Sequence, residues 1–144
     1  MRTLATFLAS IFFFIAQTPA NAEPPPGSLE FPDRLVIEAC ILTSEKPHIS
    51  KHVPGTVNVT ARTVCKGISA GRNLQVTVTL IRKDGGNTNP ITKSSRGVGS
   101  VVVNVAMPCI WSRRQSEIEY IVRTAHKMSN GKTGYTENGA LLKC

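Results

Sequence analysis

Histidine and carboxylate side chains supply most metal ligands and acid–base catalysts in proteins. His48 and His52 are four residues apart, a spacing that can bind a metal when both lie on a helix. Pro47 and Pro54 flank them, which instead predicts an exposed polar loop. No acidic or third ligand is placed beside the pair. The sequence therefore predicts no metal site and no cofactor.

Catalytic constellations are also poorly represented. A serine nucleophile on a strained turn would need a G-x-S-x-G motif, and the chain has none. Its two aspartates, Asp33 and Asp84, fall in predicted turns, and His126 lies near a predicted hairpin. Glu117 and Glu119 would share one strand face about 7 Å apart, as a glycosidase pair could, but a solvated outer face explains them better. We expect no enzymatic activity.

Basic residues are the stronger signal. The chain carries 17 Lys and Arg against 9 Asp and Glu, a net charge of +8. Such a charge favours anionic partners such as nucleic acid, anionic lipid or a wall polymer. The candidate binding surface consists of basic residues that recur at three places: Arg82, Lys83, Arg96, Arg113 and Arg114. A scatter of ordinary surface charge is the alternative.

Aromatic content argues against nucleic acid as the partner. After the first 22 residues, the aromatic residues are Phe31, Trp111, Tyr120 and Tyr135. Proteins that bind single strands interleave more aromatic side chains with their basic residues, because the bases stack on them.

Four cysteines, an even number in a short chain, predict two disulfides. Three pairings are possible. Cys40–Cys65 and Cys109–Cys144 are favoured, because each pair joins segments that are close in sequence and can form neighbouring strands. No C-x-x-C pair supports a zinc site instead.

Alternating apolar and polar residues predict the elements that position these groups. Residues 57–65 and 74–80 alternate with period two and predict two strands, with Gln75, Thr77 and Thr79 on the face opposite the core. Further strands are predicted at residues 35–42, 100–107, 117–125, 132–136 and 140–144. Asn130-Gly131 and Asn138-Gly139 predict turns. Residues 44–54 and 82–99 are predicted loops, the latter with a possible short edge strand at 91–93.

This pattern predicts an all-β fold, an antiparallel immunoglobulin-like β-sandwich of about 6–8 short strands held by two disulfides. Residues 1–22 have the form of a signal peptide, with Arg2, a short apolar run and an A-x-A site ending at Ala22. Residues 23–33 form a proline-rich lead-in, and residues 34–144 form the predicted single domain. The apolar run is too short to span a bilayer, so we expect a secreted protein without a transmembrane segment.

The strand and cysteine motifs carry a family resemblance. V-x-V-x-A-x-x-V-C at residues 57–65, L-x-V-x-V-x-L-x-R at 74–82 and G-Y-x-x-x-G-x-x-x-x-C at 134–144 resemble small exported actinobacterial proteins. That resemblance implies a secreted two-disulfide sandwich and implies no activity.

The sequence thus predicts a secreted basic protein that binds an extracellular protein or an anionic surface polymer. A cationic toxin or antimicrobial acting at membranes is one alternative, although no amphipathic helix is predicted. A small secreted hydrolase is another. The loops at 44–54 and 82–99 are the predicted places for function, because rigid sandwiches usually bind through loops.

Overall fold

A computed structural model of the chain describes residues 29–84, 87–110 and 117–144. The predicted signal peptide, Trp111, Arg113 and Arg114 lie outside these residues. The described residues form nine strands: β1 (Arg34–Ile37), β2 (Cys40–Ser44), β3 (His48–Ile49), β4 (Thr56–Cys65), β5 (Asn73–Asp84), β6 (Asn87–Val98), β7 (Ser100–Pro108), β8 (Ile118–Met128) and β9 (Thr133–Leu142).

Two antiparallel sheets stack on each other. In the five-stranded sheet, β4 is bonded to β2 and β3 on one side and to β7 on the other, and β1 extends β2. The four-stranded sheet has the order β6-β5-β8-β9. This arrangement confirms the predicted all-β sandwich.

Period-two alternation decides which side chains form the core. On β4 and β5, every second residue is buried between the sheets and the intervening residues face outward. β-branched residues fit this pleated, half-buried setting. The fully buried aliphatic residues of the two central strands are Val57, Val59, Ala61, Val76, Val78 and Leu80.

Both predicted disulfides are present and confirm the favoured pairing. Cys40–Cys65 joins β2 to β4, where the two cysteines are direct cross-strand partners. Cys109–Cys144 ties the end of β7, in one sheet, to the chain end beyond β9, in the other. The second bond therefore links the two layers.

Residues 35–42 do not form the single strand that we predicted. They form part of a hairpin, β1–β2, which turns at Glu38 with a φ of 54°. The Glu38 carboxylate accepts a hydrogen bond of 2.6 Å from Lys132 Nζ and is ion-paired with Arg72. The hydrogen bond from Lys132, and then that from Arg72, lowers the pKa of Glu38. These tertiary contacts stabilise the turn at Glu38, which could not be predicted from the nearly continuous apolar run at residues 35–42.

The prediction of a loop at residues 82–99 is also wrong. β5 continues to Asp84, and β6 is a twelve-residue edge strand paired with β5 along its length. The segment is polar because residues 88–94 of this edge strand are exposed on both faces. Pro90 is tolerated at an edge, where a ladder N–H is dispensable. The polar sequence of β6 therefore resembles that of a loop, which led to the wrong prediction.

Asn138-Gly139 does not turn either, because β9 runs unbroken through both residues. The Asn138 side chain donates a 3.1 Å hydrogen bond to the Ser44 carbonyl and accepts one of 2.9 Å from Gly139 N–H. Asn138 thus stabilises the contact between β9 and β2.

Gly99 passes the chain from one sheet to the other, between β6 and β7. Its φ is 69°, its N–H donates to the Arg72 carbonyl, and its own carbonyl accepts from Cys65 N–H. A Cβ added here would collide with the Ala70 backbone. Only glycine fits this crossing without strain.

We expect Gly99→Ala to destabilise the protein by about 2 kcal/mol, because both the backbone conformation and the close approach to Ala70 exclude a side chain. The matched control is Gly71→Ala, whose added methyl meets nothing within 4 Å. Urea unfolding of the two variants measures the difference. Equal stability of both variants would contradict this account of the crossing.

Candidate functional site

The outward-facing side of the four-stranded sheet is the candidate site, and we call it the outer face. Antiparallel register places side chains of the four strands side by side in rows across it. From β6 to β9, three successive rows are Arg96–Gln75–Lys127–Thr133, Ser94–Thr77–Ala125–Tyr135 and Thr92–Thr79–Arg123–Glu137.

Hydroxyl groups line the β5–β6 side of the outer face. The Oγ atoms of Thr77 and Ser94 are 2.7 Å apart, and the Oγ1 atoms of Thr79 and Thr92 are 3.0 Å apart. Each pair uses one proton and one acceptor site, so further donors and acceptors remain available. This side of the face can therefore bind a polar ligand.

Two exposed cations, Arg96 and Lys127, share one row. Gln75 on β5 lies between them, so their strands β6 and β8 are two interstrand distances apart, about 10 Å. Within the described part of the chain, neither is in an ion pair. Their charges are thus available to an anionic ligand.

Arg82 and Lys83 are placed differently from Arg96. The Nε atom of Arg82 is 2.6 Å from a carboxylate oxygen of Asp84, and the Nζ atom of Lys83 is 3.2 Å from one of Glu119. Arg82 lies seven residues along β5 from Gln75, the partner of Arg96, which is about 24 Å. The structure brings Arg96 together with Lys127 instead, a residue that the sequence analysis did not single out.

A buried carboxylate fixes the other side of the outer face. Glu137 points outward from β9, yet it is 0% exposed, because the described part of the lead-in, residues 29–33, lies against it. One of its oxygens is 3.1 Å from Arg123 Nε, and the other accepts a 2.9 Å hydrogen bond from the backbone N–H of Glu30. Glu137 N–H also donates to the Pro32 carbonyl. The Phe31 and Tyr135 rings pack 5.3 Å apart beside these bonds.

A pocket of about 280 Å³ opens between these two sides. Ala125 forms its floor, and the residues around it come from β5, β8, β9 and the lead-in: Glu30, Phe31, Thr77, Thr79, Arg123, Thr124, Tyr135 and Thr136. None of these was a predicted site residue. The strand alternation in the sequence correctly put Thr77 and Thr79 on the outer side of β5. It could not show which other strands lie beside β5, so it did not predict the pocket.

Behind the pocket, a chain of buried polar side chains crosses between the sheets. Ser44 Oγ is 2.7 Å from Thr124 Oγ1 and 2.6 Å from Thr136 Oγ1. His126 Nε2 is 2.8 Å from Thr136 Oγ1, and its Nδ1 is 2.7 Å from Thr63 Oγ1. Ser44 and Thr63 belong to the five-stranded sheet and the other three to the four-stranded sheet, so these bonds join the layers.

His126 serves structure in this arrangement. It is fully buried, and burial lowers its pKa to about 4, because the interior disfavours the charged imidazolium. Both ring nitrogens contact hydroxyls, and among the described residues no carboxylate is hydrogen-bonded to the ring. The ring therefore lacks the orienting acid and the solvent access that a catalytic base requires.

The other candidate ligands remain dispersed. All four cysteines are in disulfides. His48 is an exposed residue of β3, and the described residues contain no group of three or more His, Cys, Asp or Glu side chains suited to a metal ion. Nor does any helix among them have the length and apolar character needed to cross a membrane.

Comparisons with known proteins give little further information. No protein-family model and no curated protein matches the chain. Among solved structures, the sporulation control protein Spo0M from Bacillus subtilis is similar at 14% identity, with a TM-score of 0.30. The match covers 74% of this chain and 49% of that one, about half of Spo0M. Similarity at this level carries no argument about function.

The buried His126 predicts acid sensitivity. The unfolded chain takes up a proton near the ordinary histidine pKa of 6.5, whereas the folded protein resists protonation down to about 4. Above pH 6.5 the histidine is neutral in both states and does not reduce the free energy of unfolding. As the pH drops from 6.5 to about 4, protonation of the unfolded chain should lower the free energy of unfolding by about 3 kcal/mol.

His126→Gln should be less stable than the wild type at neutral pH and should flatten this part of the profile, because glutamine does not titrate. His48→Asn, at an exposed position, is the control and should retain the wild-type slope. Urea unfolding at a series of pH values measures all three proteins. An unchanged slope in His126→Gln would show that other groups cause the acid sensitivity.

Proposed function

We propose that this protein is an extracellular, non-enzymatic domain that binds an anionic surface polymer through its outer face. The observation that carries the proposal is the row in which exposed Arg96 and Lys127 flank Gln75, beside the hydroxyls of Thr77 and Ser94. Cations attract the charged groups of a polymer, and hydroxyls and amides bind its polar groups.

The shape of the face also favours a polymer. Strand-borne side chains lie at regular spacings of about 7 Å along a strand and about 5 Å between strands, which gives an extended, shallow array. An extended chain can contact several rows at once, and weak contacts then add up through multivalency. We infer a modest, salt-sensitive affinity, because exposed charges contribute little individually and are screened by ions.

An extracellular setting is consistent with the covalent structure. Two disulfides involve all four cysteines, and disulfides persist in oxidising compartments. Residues 1–22 have the composition of a signal peptide. Removal of residues 1–22 takes away one basic residue, Arg2, and leaves 16 Lys and Arg against 9 Asp and Glu, a net charge of +7. This charge suits a domain that works among the anionic polymers of a cell surface.

Replacing both cations of the row tests the proposal. We expect Arg96→Ala/Lys127→Ala to bind immobilised polyphosphate and polygalacturonate about tenfold more weakly than the wild type, because two charge contacts of roughly 0.7 kcal/mol each are lost. Wild-type binding should itself disappear at roughly 0.5 M salt. Biosensor titrations at several salt concentrations measure both effects.

The matched control is Arg34→Ala/Lys46→Ala, which removes the same charge from exposed positions away from the outer face. It should retain most of the wild-type affinity. An equal loss in both double variants would mean that net charge, and not the outer face, governs binding. If the wild type bound neither polyphosphate nor polygalacturonate, the proposed function would be refuted.

A further inference from the structure

We infer that the pocket on the outer face binds one neutral pyranose ring of the polymer, which makes the partner a glycan with both uncharged and acidic sugars. This inference rests on the proposed function and deepens it, because it assigns the sugar class that the pocket takes. Shape, aromatic surface and local charge each support it.

The shape follows from a small residue between larger ones. In the row Ser94–Thr77–Ala125–Tyr135, Ala125 contributes one methyl group, whereas Thr77 and Tyr135 rise on either side. The resulting volume of about 280 Å³ lies just below the range of pockets for drug-sized ligands. It suits a single ring and not a longer buried segment.

An aromatic wall gives the ring a surface to pack on. Tyr135 is 48% exposed, and its ring is tilted by 30° against that of Phe31. One face of a pyranose presents aliphatic C–H groups, whose partial positive charge matches the negative face of an aromatic ring. Thr77 and Thr79 on the opposite wall offer hydroxyls to the sugar's own hydroxyl groups.

The charges at the pocket select an uncharged sugar. Arg123 is the pocket's one cation among the described lining residues, and the buried Glu137 already neutralises it at 3.1 Å. Glu30 also lines the pocket, so the formal charge of Arg123, Glu137 and Glu30 together is −1. A sugar carboxylate or sulfate would be repelled here. Neutral hydroxyls can accept from the Arg123 guanidinium and donate to Glu30.

The acidic units of the same polymer would lie one row away. Lys127 is two residues beyond Ala125 on β8, about 7 Å along the strand, and Arg96 is across the sheet in the same row as Lys127. The outer face thus combines a neutral ring site with an adjacent cationic row. A glycan that alternates neutral and acidic sugars matches this order.

Binding of neutral oligosaccharides tests the pocket directly. Cellotetraose, chitotetraose, maltotetraose and mannotetraose are titrated at millimolar concentration into the ¹⁵N-labelled wild-type protein. We expect at least one to cause saturable shifts centred on residues 77, 79, 125 and 135. If none does, or if the shifts centre elsewhere, the inference is overturned.

Two variants and a control separate the pocket from the charges. Ala125→Leu fills the floor and Tyr135→Ala removes the platform, and each should weaken binding of that tetrasaccharide and of hyaluronan about tenfold. Both should leave binding to polyphosphate, which has no sugar, unchanged. Leu141→Ala, an exposed apolar residue elsewhere on β9, should change neither.

The outcomes distinguish the two proposals. Salt-sensitive binding of polyphosphate and hyaluronan that is lost in Arg96→Ala/Lys127→Ala but unaffected by either pocket variant would overturn the neutral-ring site and leave the proposed function standing. Failure of the wild type to bind any of these polymers would instead refute the proposed function. Thermal unfolding of each variant shows that it is folded before binding is compared.

Discussion

Hydrogen bonds between buried side chains hold the two layers of this sandwich in register. The chain of contacts runs from Thr124 through Ser44 and Thr136 to His126 and Thr63, and it passes between the sheets more than once. An apolar interface alone is non-directional and tolerates sliding. A buried polar group that loses its partner costs free energy, so each contact here penalises a shift of one sheet over the other.

Covalent and local ties then secure the margins around this interior. Cys109–Cys144 links the layers near the end of the chain, and Gly99 carries the main chain from one layer to the other in a single residue. Along the edge strand β9, the lead-in is bonded to the sheet through Glu137. With its margins and its interior fixed, the sandwich can present side chains at constant spacing on its surface.

The proposed function depends on that rigidity. The outer face has no deep cleft and no activated nucleophile in its described residues; it has rows of hydroxyl, amide, guanidinium and ammonium groups whose separation is set by the sheet. Weak, exposed contacts become useful when many are held at fixed distances, because little conformational entropy is lost on binding. The buried Glu137 contributes to this fixed geometry, because it both anchors the lead-in and orients Arg123 beside the pocket.

Alternation in the sequence predicted the all-β sandwich, because a strand with one buried face has a local period of two. The four cysteines predicted two disulfides and favoured the observed pairing, but the pairing itself was decided by the structure, which makes Cys40 and Cys65 direct cross-strand partners. Residues 82–99 were misjudged because a solvated edge strand such as β6 has the polarity of a loop, and Asn138-Gly139 because a side-chain bond to Ser44 keeps the strand straight. The outer face required the tertiary structure. Arg96, Lys127 and Tyr135 lie on three different strands, and only strand order and register, which depend on long-range pairing, decide that they share one surface.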